Sequence, residues 1–268
     1  MANRASRPDT QTAAQQRVLS RLIDNPALKA ADEFYTATFT PLNGSGVSGG
    51  AVLAFDVETN TLTVIIAAKG VEANQPHIQH IHGFLDGRDA VTPDLSDDAD
   101  GDGFVELLEG VPDYGGVLLN LTVNHDEGSG GDNGHSHGAL EGFPTAPDGT
   151  IYYVQSFQLP AGDLPASPEL LLRHLVIHGM TVQPGAGAGT TGEVDGSGGY
   201  ELVLPVAVAE IERSTSVRDL QDFMREIDLR EFVRAERAEE RQSRRADNDL
   251  RFEGDRGQDM RGADADWM

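Results

Sequence analysis

The chain has 268 residues, enough for one large β domain with tails or for two small domains. Lys and Arg total 20 against 44 Asp and Glu, a formal net charge of -24; such a surface repels nucleic acid and anionic lipid, favours cations, and suits a salt-rich, halophilic setting where self-repulsion is screened. There is no cysteine, so disulfides, thiolate metal sites and cysteine nucleophiles are excluded.

Residues 1–32 form a polar and helical lead-in. The first eleven carry no apolar pattern and are expected to be loose. Thr12 to Asp24 predicts a short helix with Val18, Leu19, Leu22 and Ile23 on one side, and Asn25 before Pro26 reads as the N-cap and first position of a second one, ending near Ala31. The start of the chain lacks the apolar run of a signal peptide and no stretch is long enough to span a membrane, so the expected location is cytoplasmic, with export by another route left open.

From Glu33 the apolar period changes to two. Phe34–Phe39, Ala51–Phe55 and Thr61–Ile66 read as strands, followed by 76–84, 117–124, 151–158, 173–179 and 200–208. Strands this short, joined by Gly-rich turns such as Asn43-Gly44-Ser45-Gly46, predict an antiparallel sandwich or barrel over residues 33–212. Three long insertions interrupt it: an acidic one at 85–116, a Gly-, Asp- and His-rich one at 125–149, and Pro184 to Gly199.

Composition shifts at Arg213. Residues 213–268 hold 12 of the 20 basic and 15 of the 44 acidic residues, so this segment is nearly balanced. Ser216 and Asp219 resemble a capping box, and Val217, Leu220, Met224 and Ile227 follow at helical spacing, which predicts a helix from about Val217 to Arg245 before a disordered end. It reads as a solvated helix with one face on the sandwich; the alternative is an oligomerisation helix, making a homo-oligomer a candidate assembly. Because the strand pattern ends at Glu212, truncation there is expected to leave the sandwich folded.

Asp98 to Glu109 carries an EF-hand-type calcium pattern. Asp98, Asp100, Asp102 and Glu106 stand at positions 1, 3, 5 and 9, Gly103 at 6, Phe104 at 7 to offer a backbone carbonyl, and Glu109 at 12. A hard cation needs about six to eight oxygens, and the glycine permits the sharp turn that wraps the chain around it. The residues before Asp98 make a poor helix, so a structural clip in a β domain is expected rather than a sensor.

All eight histidines lie between residues 77 and 178. His80 and His82 share one face of a strand by period two, and His178 closes a second apolar strand. A His-x-His pair with one histidine from a neighbouring strand makes a three-nitrogen site suited to copper, zinc or iron. His77 and His174 read as hydrogen-bonding groups, and His125, His135 and His137 as loop residues or an accessory site. No P-loop, dinucleotide fingerprint or nucleophile elbow is present, and Arg88 beside Asp86 and Asp89 reads as a local ion pair.

Gln79-His80-Ile81-His82-Gly83, the later Leu175-Val176-Ile177-His178-Gly179 and the final strand from Leu204 to Ile211 resemble the CHRD domain family, first described in chordin, in its long bacterial and archaeal form. The resemblance covers about Phe34 to Ile211 and implies an immunoglobulin-like sandwich. The same histidines are similar to copper/zinc superoxide dismutase, where a His-x-His strand and a later Arg-x-x-Val-x-His strand supply copper ligands; His80, His82 and His178 match, with Arg173 at the opening position. The bridging histidine, the zinc-ligand spacing and the disulfide of that family have no counterpart. Together these readings predict a mainly β, antiparallel Greek-key immunoglobulin-like sandwich that binds metal: calcium at the acidic loop and copper or zinc at the histidines. A copper-dependent dismutase-like redox enzyme and a structural or assembly protein are the alternatives.

Overall fold

The computed structural model describes residues 25–122, 142–159, 169–214, 219–220 and 222–223. The expected helix at 12–24, most of the one at 217–245, and His125, His135 and His137 lie outside them. Among the described residues no helix is long and apolar enough to cross a membrane.

The first element is a short helix, α1 (Pro26–Ala30), whose Asn25 side chain accepts from the Ala27 amide. Ten strands follow: β1 (Glu33–Thr38), β2 (Thr40–Pro41), β3 (Ser48–Asp56), β4 (Thr61–Lys69), β5 (Gln79–Gly83), β6 (Gly116–Asn120), β7 (Thr150–Gln158), β8 (His174–Val182), β9 (Gly199–Glu210) and β10 (Glu212–Ser214). A second helix, α2 (Leu107–Tyr114), precedes β6. The strands form two five-stranded sheets, ordered β10-β1-β3-β4-β7 and β2-β9-β8-β5-β6, with every neighbouring pair antiparallel. Only β3 to β4, β5 to β6 and β8 to β9 join consecutive strands within one sheet, and every other connection between consecutive strands crosses between the sheets, so the fold is a mainly β sandwich, as the strand pattern predicts.

The period-two pattern decides which side chains fill the space between the sheets. Tyr35, Leu53, Phe55, Leu62, Val64 and Ile66 enter it from one sheet, and Ile81, Leu175 and Ile177 from the other. Burial of each such side chain is worth roughly 1.5–3 kcal/mol. The outer faces are apolar as well and must be covered. On the first sheet Val52, Ala54, Ile65 and Ala67 are capped by Leu28 of α1 and by Leu220 and Phe223. On the second, Val176 and Val208 are capped by Leu42 and by Tyr114 at the end of α2.

Three elements were not legible in the period. β2 and β10 are too short to show alternation. Strand β10 pairs Ser214 with Phe34, so the sandwich continues past Glu212, and Leu220 beyond it is 1% exposed. Helix α2 contains Gly110 and Pro112, both poor helix formers. It forms because its first turn is capped reciprocally by Glu106 and Glu109 and because Tyr114 reaches back to donate its hydroxyl to the Leu107 carbonyl at 3.1 Å.

Candidate metal centre

In β5 the inward residue is Ile81, which leaves His80 and His82 on the outer face of the second sheet. Strand β8 lies beside β5, with His174 opposite His82 and Val176 opposite His80. Its pairing with β9 shifts register on both sides of His178, and the His178 amide donates to Ile78 at 2.8 Å. This irregularity brings the third imidazole over the other two. Ring centroids are 5.4 Å apart for His80 and His82, 5.4 Å for His80 and His178, and 5.8 Å for His82 and His178. One ring nitrogen from each histidine lies within 4.8 Å of the others.

The hydrogen bonds fix which nitrogens are offered. His82 Nδ1 faces the Gly115 carbonyl at 3.0 Å and His178 Nδ1 the Val203 carbonyl at 2.6 Å. A carbonyl can only accept, so both rings carry their proton on Nδ1 and keep a lone pair on Nε2. Those two Nε2 atoms, and Nδ1 of His80, are buried without a hydrogen-bond partner. Orphaned buried polar atoms are costly and rare, and three in one cluster fit a bound cation. Burial, with repulsion from His178, lowers His82 to about 3. Burial lowers His178 to about 4 and, with repulsion from His178 and His82, holds His80 well below its ordinary value. All three are therefore neutral at pH 7, the form that ligates.

The remaining described histidines are differently employed. His77 faces the Glu72 carbonyl at 2.9 Å and the His178 carbonyl at 3.0 Å, a brace behind the site. His174 meets the Thr92 hydroxyl at 3.3 Å through Nε2, and burial lowers it to about 4. Arg173 is 3% exposed and lies against Gly83, where any Cβ would collide with its Cδ. Arg88 pairs with Asp86 at 3.1 Å and lies over the Phe84 ring, as a local ion pair should.

The acidic loop leads directly into α2, whose first residue is position 10 of the pattern. Carboxylate oxygens of Asp98, Asp100 and Asp102 lie within 4.8 Å of one another. Asp98 accepts from the Gly101 and Gly103 amides at 2.7 and 2.8 Å, which wraps the loop around its first residue; Gly103 has φ 94, the left-handed region a glycine permits. Glu109 accepts from Ala99 at 2.7 Å and from Glu106 at 2.9 Å, and so ties loop to helix. Glu106 is 4% exposed, accepts from the Val194 amide at 2.6 Å, and is pushed up to about 7 by burial and by the nearby Glu193 and Asp102. Asp102 Oδ2 is buried with no partner, and burial with the charges of Asp100, Asp98 and Glu109 raises its carboxyl. The Phe104 side chain packs on Val182, Val194 and Leu204.

Several supporting groups escape a sequence reading. Gly115 and Val203 act through backbone carbonyls, which residue type does not reveal. Asn43, visible only as a turn residue, exchanges hydrogen bonds with Val105 at 2.8 and 2.9 Å and so staples the loop to the sheet. Glu193, in the Gly-rich insertion and part of no motif, accepts from the Leu107 amide at the start of α2 at 3.3 Å.

No family model matches the chain, and no curated protein matches it. Among solved structures it is similar to superoxide dismutase 5 of Candida albicans, in its D113N mutant form, at 14% identity over 69% of this chain and 94% of that one, with a TM-score of 0.31. A likeness that weak decides nothing about chemistry; the site stands on its own side chains.

Proposed function

We propose that this chain is a metal-binding β-sandwich protein that holds copper or zinc on His80, His82 and His178. The observation that supports it is the convergence of three neutral, buried imidazoles with three unpartnered nitrogens. A tetrahedral ion at about 2.0–2.1 Å from each nitrogen needs ligands about 3.3 Å apart, within reach of a small closure from the present spacing. Copper and zinc both accept imidazole nitrogen, so the donor set does not choose between them.

The test is uptake by the full chain after metal removal. One equivalent of copper or zinc is expected, lost in His82→Ala and His178→Ala; stoichiometry that survives both substitutions overturns the assignment. Superoxide turnover by the copper-loaded protein would extend the reading to a redox enzyme.

A second reading, calcium at Asp98, Asp100, Asp102, Phe104, Glu106 and Glu109, is favoured by the buried, unpartnered Asp102 Oδ2 beside two further carboxylates. A cation there offsets the burial, and the weaker repulsion from Asp100, Asp98 and Glu109, that raise Asp102. Calorimetry with calcium checks it: binding is expected, and Asp98→Ala and Glu109→Ala should weaken it strongly.

A further inference from the structure

We propose that Tyr114 is a positioning residue of the histidine metal centre: helix α2 holds its ring against His82 and so fixes the direction of the His82 lone pair. This rests on the reading of His80, His82 and His178 as ligands.

The Nδ1 bond to Gly115 anchors one edge of the His82 ring but leaves the plane free to rock about it. The Tyr114 ring removes that freedom. Its centroid is 4.8 Å from that of His82 with the planes at 73°, an edge-on contact, and Tyr114 is fully buried. The tyrosine is held in turn. Its hydroxyl donates to the Leu107 carbonyl at the far end of α2. Gly110 makes the room: a Cβ there would collide with the Tyr114 ring and come within 2.7 Å of its Oη. The helix end is locked as well. Gly115 has φ 82, and a Cβ on it would run into the backbone of Gly83, the residue after His82. The pairing of β5 with β6 shifts register between Ile81 and His82, at the ligand itself. Filling space on Val176 and Val208 would require only the ring; the hydroxyl bond, the glycine beneath it and the contact with His82 serve orientation.

The experiment uses the full chain as wild type, Tyr114→Phe and Gly110→Ala, each stripped of metal and titrated with Cu2+. Tyr114→Phe keeps the ring and loses its tether. It should lower Tm modestly, as the loss of one hydrogen bond does, and leave the strand spectrum close to wild type, yet alter the Cu2+ electron paramagnetic resonance parameters and weaken copper binding about tenfold, the low end for groups that orient metal ligands. Gly110→Ala displaces the ring from its seat and should change the same spectrum further. If Gly110→Ala does not fold, Tyr114→Phe decides alone. A wild-type spectrum and affinity in Tyr114→Phe overturn the positioning role while leaving the metal centre standing. A wild type that takes up no copper overturns both.

Discussion

At the scale of single residues, the site's electrostatics give opposite pH dependences that can be separated. His82 and His178 have folded values of about 3 and about 4, below the ordinary 6.5. Between those values and 6.5 the unfolded chain binds protons that the folded chain does not, so stability is present above 6.5 and is lost as pH falls. Metal-free protein should therefore melt at progressively lower temperature from pH 6.5 down to 4, and His178→Gln should flatten that slope; an unchanged slope would mean the rings are solvated. Glu106 runs the other way. Its value rises from 4.5 to about 7, so the folded chain binds the extra proton and stability falls as pH climbs through that window. Glu106→Gln keeps an acceptor for Val194 and loses the charge. Without divalent cations at pH 8 it should raise stability by on the order of 1–3 kcal/mol. Differential scanning calorimetry reads both.

At the scale of elements, α2 shows how tertiary contact overrides propensity. A peptide containing Gly110 and Pro112 has little reason to be helical by itself; the reciprocal cap and the Tyr114 tether supply it. The carboxy-terminal side gives a second case. Strand β10 and the buried Leu220 lie past the point where the strand pattern ends. Truncation after Glu212 should thus lose Leu220 and the half-buried Phe223 from the outer face of the first sheet, at about 1.5–3 kcal/mol for Leu220 and less for Phe223. Truncation after Met224 should cost less. Equal melting temperatures for the two would show that the cover is dispensable.

At the scale of the whole molecule, the charge of -24 makes the chain a receptive surface for cations. Calcium that binds only the folded state stabilises it by mass action, about 2.7 kcal/mol at a hundredfold excess over Kd. Tm should therefore rise with calcium, and the rise should vanish in Asp98→Ala. Magnesium, smaller and reluctant to shed water, should substitute poorly. A Tm indifferent to saturating calcium would detach the acidic loop from the fold.

The sequence by itself determined what local rules govern. Alternation marked eight strands because each has one face toward the space between the sheets. The Asn25-Pro26 pair marked α1 because cap chemistry is local. His80 and His82 shared a face because side chains in a strand repeat every two residues. Whether His178 joined them could not be read from spacing, since its approach depends on β8 lying beside β5 and on the register shifts around it, which set distances between residues almost a hundred positions apart. The same holds for Gly115 and Val203, whose carbonyls orient the rings, and for Asn43, which staples the loop. Only the tertiary structure decided these, because a backbone oxygen carries no residue signature and acquires its partner only when the chain has packed.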